Sequence, residues 1–227
     1  MNPLLELPMF QQVEKATLDK LWETGKVVRY KRGQHCFQAK EPNQNVYILL
    51  HGKVAIYNLT HAGKRKTIFY LGHGELLNDQ LSKGEFPAVY CEIIDESQVF
   101  TVSIKNFIQL MQSDFSLVRA VLSEYERKMW RMSHQLKNTL GSVYLERKLG
   151  SKLWKLARDF GIETERGIYI DIPLSITELA DFLGAPREST SRALKKLVEK
   201  ELVEVEQKRI YVISPERLSR FYKTGKI

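Results

Sequence analysis

The chain has 227 residues, with 35 Lys+Arg against 27 Asp+Glu, a formal charge of +8 and a pI near 9.3. That length fits one large domain or two of ordinary size, and 43% hydrophobic with 10% aromatic residues excludes a disordered chain. Two cysteines cannot make a disulfide framework or a four-cysteine zinc site. Apolar runs of about five residues are far short of the roughly 20 that cross a bilayer, so no membrane partner is expected. The start, Met1-Asn2-Pro3-Leu4-Leu5-Glu6, lacks a basic segment and does not read as a signal peptide, so a cytoplasmic location is expected.

Taken in chain order, Thr17–Trp22 reads as a short helix, and residues 26–103 read as short strands punctuated by turn residues. Gly33, Pro42-Asn43, Gly52, Gly63, Gly72, Gly74 and Gly84 separate Val46–Leu50, Val54–Tyr57, Thr67–Leu71 and Val99–Val102. Even spacing of short strands favours a small barrel, roll or sandwich over a parallel sheet. After Ser113-Asp114 the period changes. Val118, Leu122, Tyr125, Met129, Met132 and Leu136 follow at steps of 4, 3, 4, 3 and 4, an a/d heptad stripe. Such a stripe packs on a partner helix or on the chain's own sheet; its narrowness favours homodimerisation. Glu124, Glu126, Arg127, Lys128, Arg131 and Lys137 occupy the other faces. Gly141, within Asn138–Ser142, is the expected hinge.

Residues 146–227 hold 17 Lys+Arg against 13 Asp+Glu. Leu149, Leu153, Leu156 and Phe160 form an apolar helix face that Gly161 is expected to close with a left-handed cap. Ile168–Pro173 is strand-like. Ser175 and Glu178 have the spacing of a capping box, opening a helix that buries Ile176, Leu179, Ala180 and Leu183 and breaks at Gly184. A second helix starts around Pro186 and buries Ala193, Leu194, Leu197 and Val198. Its outward face begins Arg187-Glu188-Ser189-Thr190-Ser191-Arg192. A basic helix face is often no more than a solvated one. On the second helix of a helix-turn-helix, however, the first residues reach base edges in a major groove. Arg187 and Arg192 can each bond guanine, and Glu188 can accept from cytosine. Ser189, Thr190, Lys195 and Lys196 are then candidates for phosphate contacts, and Ser175 and Ser191 complete the expected DNA-binding set. Leu202–Glu206 and Arg209–Ile213 alternate around Gln207-Lys208 as a hairpin, and Ser214-Pro215-Glu216 caps a last helix. Helix-turn-helix plus hairpin is a winged helix, and double-stranded DNA is the expected partner.

On these residues the chain resembles the Crp/Fnr family of bacterial transcription regulators. Leu179-Ala180-Asp181-Phe182-Leu183-Gly184-Ala185-Pro186-Arg187-Glu188-Ser189-Thr190-Ser191-Arg192 carries the resemblance most specifically. Gly33, Glu41, Val46-Tyr47-Ile48, Gly52-Lys53-Val54, Gly63, Tyr70-Leu71 and Gly74 carry it more loosely. The resemblance implies an α+β fold: a cyclic-nucleotide-binding-type β-roll (double-stranded β-helix) over 1–112, a dimerisation helix and hinge over 113–140, and a winged helix-turn-helix over 141–227. It implies no enzyme activity, RNA polymerase as a further partner, and an inverted-repeat operator with TGA-like half-sites. Glu188 would then lie on cytosine and Arg192 on guanine.

The departures from the family pattern bear on the effector. The Gly-Glu turn that holds ribose in cyclic-AMP-binding members falls on Asn78-Asp79, and the Arg-Ser pair that holds the phosphate falls on Pro87-Ala88. The Thr-Ser pair on the dimer helix becomes Met132-Ser133. Residues 76–98 contain no arginine, so cyclic AMP is not the expected effector. Phe86, Pro87, Val89, Tyr90, Met129, Trp130 and Met132 point instead to an apolar pocket for a hydrophobic or aromatic effector, or else to ordinary core. No cofactor is required. The cysteine cluster of the iron–sulfur branch is missing, since only Cys36 and Cys91 exist, and their pairing as a redox switch depends on distances. Haem would have only His73 as a ligand to consider. A cupin-type metal enzyme would need an HxH pair, and His35, His51, His61, His73 and His134 offer none.

Overall fold

The fold is described from a computed structural model, which covers residues 2–81, 86–137 and 144–227; side chains at 136 and 137 lie outside the description. The expected hinge at Asn138–Ser142 falls outside it, as does the side chain of Leu136. The chain divides into two compact units: Met1–Asn58 with Ile68–Ser133, and Leu59–Thr67 with His134–Ile227. The first 19 residues of the long helix expected over 113–140 thus group with the roll, and the hairpin tip Leu59–Thr67 groups with the second unit.

The first unit opens with two 3-10 turns, Pro3–Glu6 and Pro8–Phe10, then α1 (Lys15–Thr24). A five-stranded antiparallel arrangement follows, from β1 (Lys26–Tyr30), β2 (His35–Phe37), β3 (Asn45–Leu59), β4 (Arg65–Leu71) and β5 (Tyr90–Ser103). The strand order is β1-β5-β3-β4, and β2 also pairs with β5. One apolar cluster (Phe10, Leu21, Ile48, Phe100, Phe107, Leu117, Val121) lies towards the helices; another (Phe37, Leu49, Ile56, Phe69, Leu77, Cys91, Ile93) fills the roll. This is the α+β roll architecture expected. Two helices complete the unit, α2 (Ile104–Ser113) and α3 (Phe115–Lys137). Asp114 breaks the chain between them, and its carboxylate accepts from both the amide and the hydroxyl of Ser116 in the first turn of α3. Those bonds hold the Asp114 pKa below the ordinary carboxylate range.

Two of the strands expected separately, Val46–Leu50 and Val54–Tyr57, are one strand. Gly52 does not end β3; it bends it, at φ +96, where the register against β5 shifts repeatedly. A Cβ there would collide with Ser97 Oγ and stand 2.6 Å from the Glu96 carbonyl oxygen. Gly52→Ala is therefore expected to destabilise the first unit by about 1–3 kcal/mol through strain and clash, read as a lower urea midpoint at unchanged m-value.

The second unit contains α4 (Leu145–Phe160), β6 (Gly161–Thr164), β7 (Gly167–Ile170), α5 (Ile176–Leu183), α6 (Arg187–Glu199), β8 (Val203–Glu206), β9 (Arg209–Val212) and α7 (Pro215–Thr224). Its sheet runs β6-β7-β9-β8, all antiparallel. Gly161 is extended, at φ −82, rather than left-handed. It must be glycine for space instead, because a Cβ would meet the Ala157 carbonyl and Ile168.

Candidate functional site

The second unit builds one exposed cationic face. Ser175 Oγ accepts from the Glu178 amide while Glu178 reaches back to the Ser175 amide, so α5 starts with a reciprocal capping box. Gly184, left-handed at φ +69, ends α5 by directing its N–H to the Ala180 carbonyl. Pro186 then sets the entry to α6. Leu179, Ala180 and Phe182 of α5 are buried, as are Ala193, Leu194 and Leu197 of α6, which fixes which side of α6 faces outward.

On that outward side Arg187, Glu188, Ser191 and Arg192 are all exposed, and with Ile176 they line a shallow hollow of about 420 Å³. Among the described residues Arg192 makes only a long 3.4 Å contact with Ser189 Oγ, which is half-buried. Lys195 and Lys196 are exposed a turn later, with loose contacts to Glu199 (3.7 Å) and Glu146 (3.4 Å). Exposed ion pairs of this kind contribute little and leave the cations available. Thr190 is the exception among the expected contacts: it is fully buried and its hydroxyl donates to the Pro186 carbonyl (3.0 Å), so it holds the turn and cannot touch a phosphate. The hairpin expected around Gln207-Lys208 is present as β8 and β9. The β8–β9 turn places Gln207 and Lys208 at positive φ, at 48° and 68°, and leaves Lys208 and Arg209 exposed at the wing tip.

In the first unit the expected effector residues scatter. Asn78 is buried and structural, its Oδ1 accepting from the Tyr47 amide and its Nδ2 donating to the Asn45 carbonyl. Asp79 Oδ2 accepts from the Ala88 amide at 2.7 Å. Pro87 is buried, Ala88 and Phe86 are exposed, and Val89 packs against the roll interior. Tyr90 stacks on Tyr57 with centroids 4.9 Å apart, His35 lying edge-on to both. The helix residues expected to wall an apolar pocket do not face the roll. Met129, Trp130 and Met132 are 68%, 53% and 49% exposed, and Ser133 is exposed too.

The face of α3 that does meet the roll is charged. Glu124 and Arg131, expected on outer faces, are buried. Arg131 donates to Glu75 Oε1 and to the Tyr70 carbonyl, both at 3.1 Å, and stands over the Phe69 ring; Arg127 bridges Glu75 (2.9 Å) and Glu124 (2.6 Å). Lys128 Nζ donates to the Asn78 carbonyl at 2.9 Å. Burial, opposed mainly by Glu124 and Glu75, lowers the Lys128 pKa from 10.5 to about 8. Between those two values the unfolded chain binds the extra proton, so this group's cost to stability is full below pH 8 and fades as pH rises towards 10.5. Lys128→Met is accordingly expected to raise the urea midpoint at pH 7 and to give a smaller gain at pH 10.

Of the heptad stripe, Leu122, Met129 and Met132 are exposed, Val118 is half-buried, and Tyr125 leans onto the helix-side core. Cys36 and Cys91 are both buried free thiols, and burial together with the neighbouring Cys36 pushes the Cys91 thiol pKa up. Among the described residues no helix is long and apolar enough to cross a membrane.

Comparison with known proteins agrees with this geometry. Residues 27–114 match the cyclic nucleotide-binding domain and residues 147–221 match the Crp-like helix-turn-helix domain. A probable transcriptional regulator of Lacticaseibacillus casei, flp, is 29% identical over 78% of this chain and 78% of its own. The global nitrogen regulator of Synechococcus elongatus is 28% identical over 86% of this chain and 88% of its own. Among solved structures, FixK2 from Bradyrhizobium japonicum shares the fold at a TM-score of 0.75 with 19% identity, covering 86% of this chain and 96% of that one. With both halves of the architecture matched in order along the chain, the protein belongs to the Crp/Fnr family of transcription regulators.

Proposed function

We propose that this regulator works as a homodimer on an inverted repeat with TGA-like half-sites, Glu188 accepting from cytosine and Arg192 donating to guanine. The observation that carries this reading is the set of exposed side chains on α6: Arg187, Glu188, Ser191 and Arg192 project together from the first turns of a helix whose opposite side is buried. Lys195, Lys196 and the wing cations Lys208 and Arg209 supply phosphate contacts. Exposed Leu122, Met129 and Met132 on α3 support pairing of two copies along that helix. An effector held between α3 and the roll would bias this pairing and with it the spacing of the two α6 helices. RNA polymerase is the further partner, in a cytoplasmic setting. A cupin-type metal enzyme is set aside, because the relatives are regulators.

The test is fluorescence anisotropy on the full chain with an inverted-repeat duplex and a scrambled duplex of equal length, titrated with salt. Tighter binding to the repeat, with log K falling linearly in log salt, is expected. Lys195→Ala should weaken both duplexes alike and flatten that slope by about one. Equal affinity for the two duplexes contradicts the reading.

A further inference from the structure

The charges between α3 and the roll do not all cancel locally. Glu75 and Glu124 are taken up by Arg127 and Arg131, with the second Glu75 oxygen accepting from the Gly72 amide at 2.6 Å. Lys128 and Asp79 remain. The Lys128 ammonium has three donors, and among the described residues a single hydrogen-bond acceptor is found for it, the carbonyl of Asn78, immediately before Asp79. The Tyr125 ring lies 5.6 Å from Lys128 Nζ, and both Lys128 and Asp79 act on the buried Cys91 thiol. Asp79 also bears on Tyr125, whose pKa is raised first by burial and then by that carboxylate.

Two polar atoms next to this pair are orphaned. Tyr125 Oη and Gln80 Nε2 are buried with no hydrogen-bond partner among the described residues. A buried polar group left unpaired costs about 1–3 kcal/mol, and native proteins hold few of them. Two orphans beside a desolvated ammonium and a carboxylate with one oxygen unbonded among the described residues make a donor and acceptor set lacking its counterpart.

We propose that Lys128 and Asp79 are the two ends of a recognition site for a small carboxylic acid that also carries a hydrogen-bond donor, an amino or hydroxy acid. Lys128 and the Tyr125 hydroxyl take its carboxylate, and the free oxygen of Asp79 accepts from its amino or hydroxyl group. The proposal rests on the effector-gated reading above and supplies its ligand class. Such a ligand adds no net imbalance, because its anionic end meets a cation and its donor end meets an anion. A phosphodiester fits less well, since both guanidinium groups nearby are already held by Glu75. Because Lys128 and Tyr125 belong to α3, which also carries Leu122 and Met129, occupancy is read directly by the helix expected to pair two copies.

Lys128 is faced by Glu124, Tyr125 and Arg127 on its own helix, by Glu75 and the Asn78 carbonyl from the segment after β4, and by Cys91 from β5, on which Asp79 also acts. With its pKa near 8, affinity for a carboxylate should fall as pH rises from 7 to 9.

The experiment is thermal shift and calorimetry on the full chain with L-alanine, L-glutamate, lactate, malate and salicylate. Lactamide and salicylamide serve as uncharged partners, and cyclic AMP and inorganic phosphate as the phosphate arm. At least one acid should bind, its amide should not, and Lys128→Met and Asp79→Asn should each weaken binding tenfold or more while Lys128→Arg retains it. No response to any acid, a response to phosphate compounds alone, equal binding of acid and amide, or an unchanged Lys128→Met overturns the proposal. Binding of the inverted-repeat duplex, measured on the same preparation, separates the two readings. Loss of specific DNA binding there sinks the proposed function, whereas intact DNA binding without a response to the acids sinks only the ligand class.

Discussion

Placing glutamate at both Leu122 and Met129 should leave the chain monomeric and lower its affinity for the inverted repeat by roughly 10²–10⁴-fold. Both side chains are more than half exposed in the single chain, Leu122 at 52% and Met129 at 68%, so the substitutions remove no internal packing and the monomer should fold as before. In a paired helix the same positions face each other across the twofold axis, where like charges taken out of water repel strongly. Affinity falls because two half-sites are then no longer engaged by one linked molecule. The second recognition helix binds at an effective concentration set by the first, and that advantage disappears with the dimer. Sedimentation velocity reads the oligomeric state and anisotropy reads the affinity. A variant that remains dimeric would remove α3 as the pairing element.

Arg192→Ala should cost about 1–3 kcal/mol of specific binding, roughly 5- to 150-fold, with discrimination relaxed at one base pair of each half-site. The guanidinium is exposed and its one internal contact among the described residues is a 3.4 Å approach to Ser189, so removing it leaves no buried group there unsatisfied. The loss should therefore appear in the ratio of specific to scrambled affinity and not in the unfolding midpoint. Thr190→Ala supplies the contrast two residues earlier. Its hydroxyl is internal, bonded to Pro186, so stability should fall while the specificity ratio stays put. An Arg192→Ala protein with an unchanged ratio would overturn the assignment of that side chain to a base.

The C-terminal unit was legible in the sequence because its signals are local. A capping box at Ser175 and Glu178, a helix end at Gly184, and a Gln207-Lys208 turn each depend on residues within four positions of one another, and each is found where the spacing puts it. The orientation of α3 was not legible for the opposite reason. A heptad stripe reports where apolar residues recur, and a row of charges reads by default as solvated. Whether Arg131 faces water depends on Glu75 and Tyr70, 56 and 61 residues away in sequence, which accept its hydrogen bonds, and Glu75 also pairs with Arg127, the partner of Glu124. The same blindness put Met129, Trp130 and Met132 in an apolar pocket. Long-range pairing also explains β3: Gly52 has the composition of a turn, and only the bond pattern with β5 shows a bent, continuous strand. Thr190 looked like a phosphate contact because its neighbours are polar, yet its helical phase turns it inward with Ala193 and Leu194.

The most direct test of the account varies the geometry of the DNA and leaves the protein alone. The full chain is titrated against duplexes carrying two inverted half-sites centred one helical turn apart, the same half-sites moved apart by a further half turn, and one half-site only. Two recognition helices carried by one dimer predict tight binding to the first duplex, and affinities for the other two that fall together to the level of a single contact. Equal affinity across all three duplexes would contradict it.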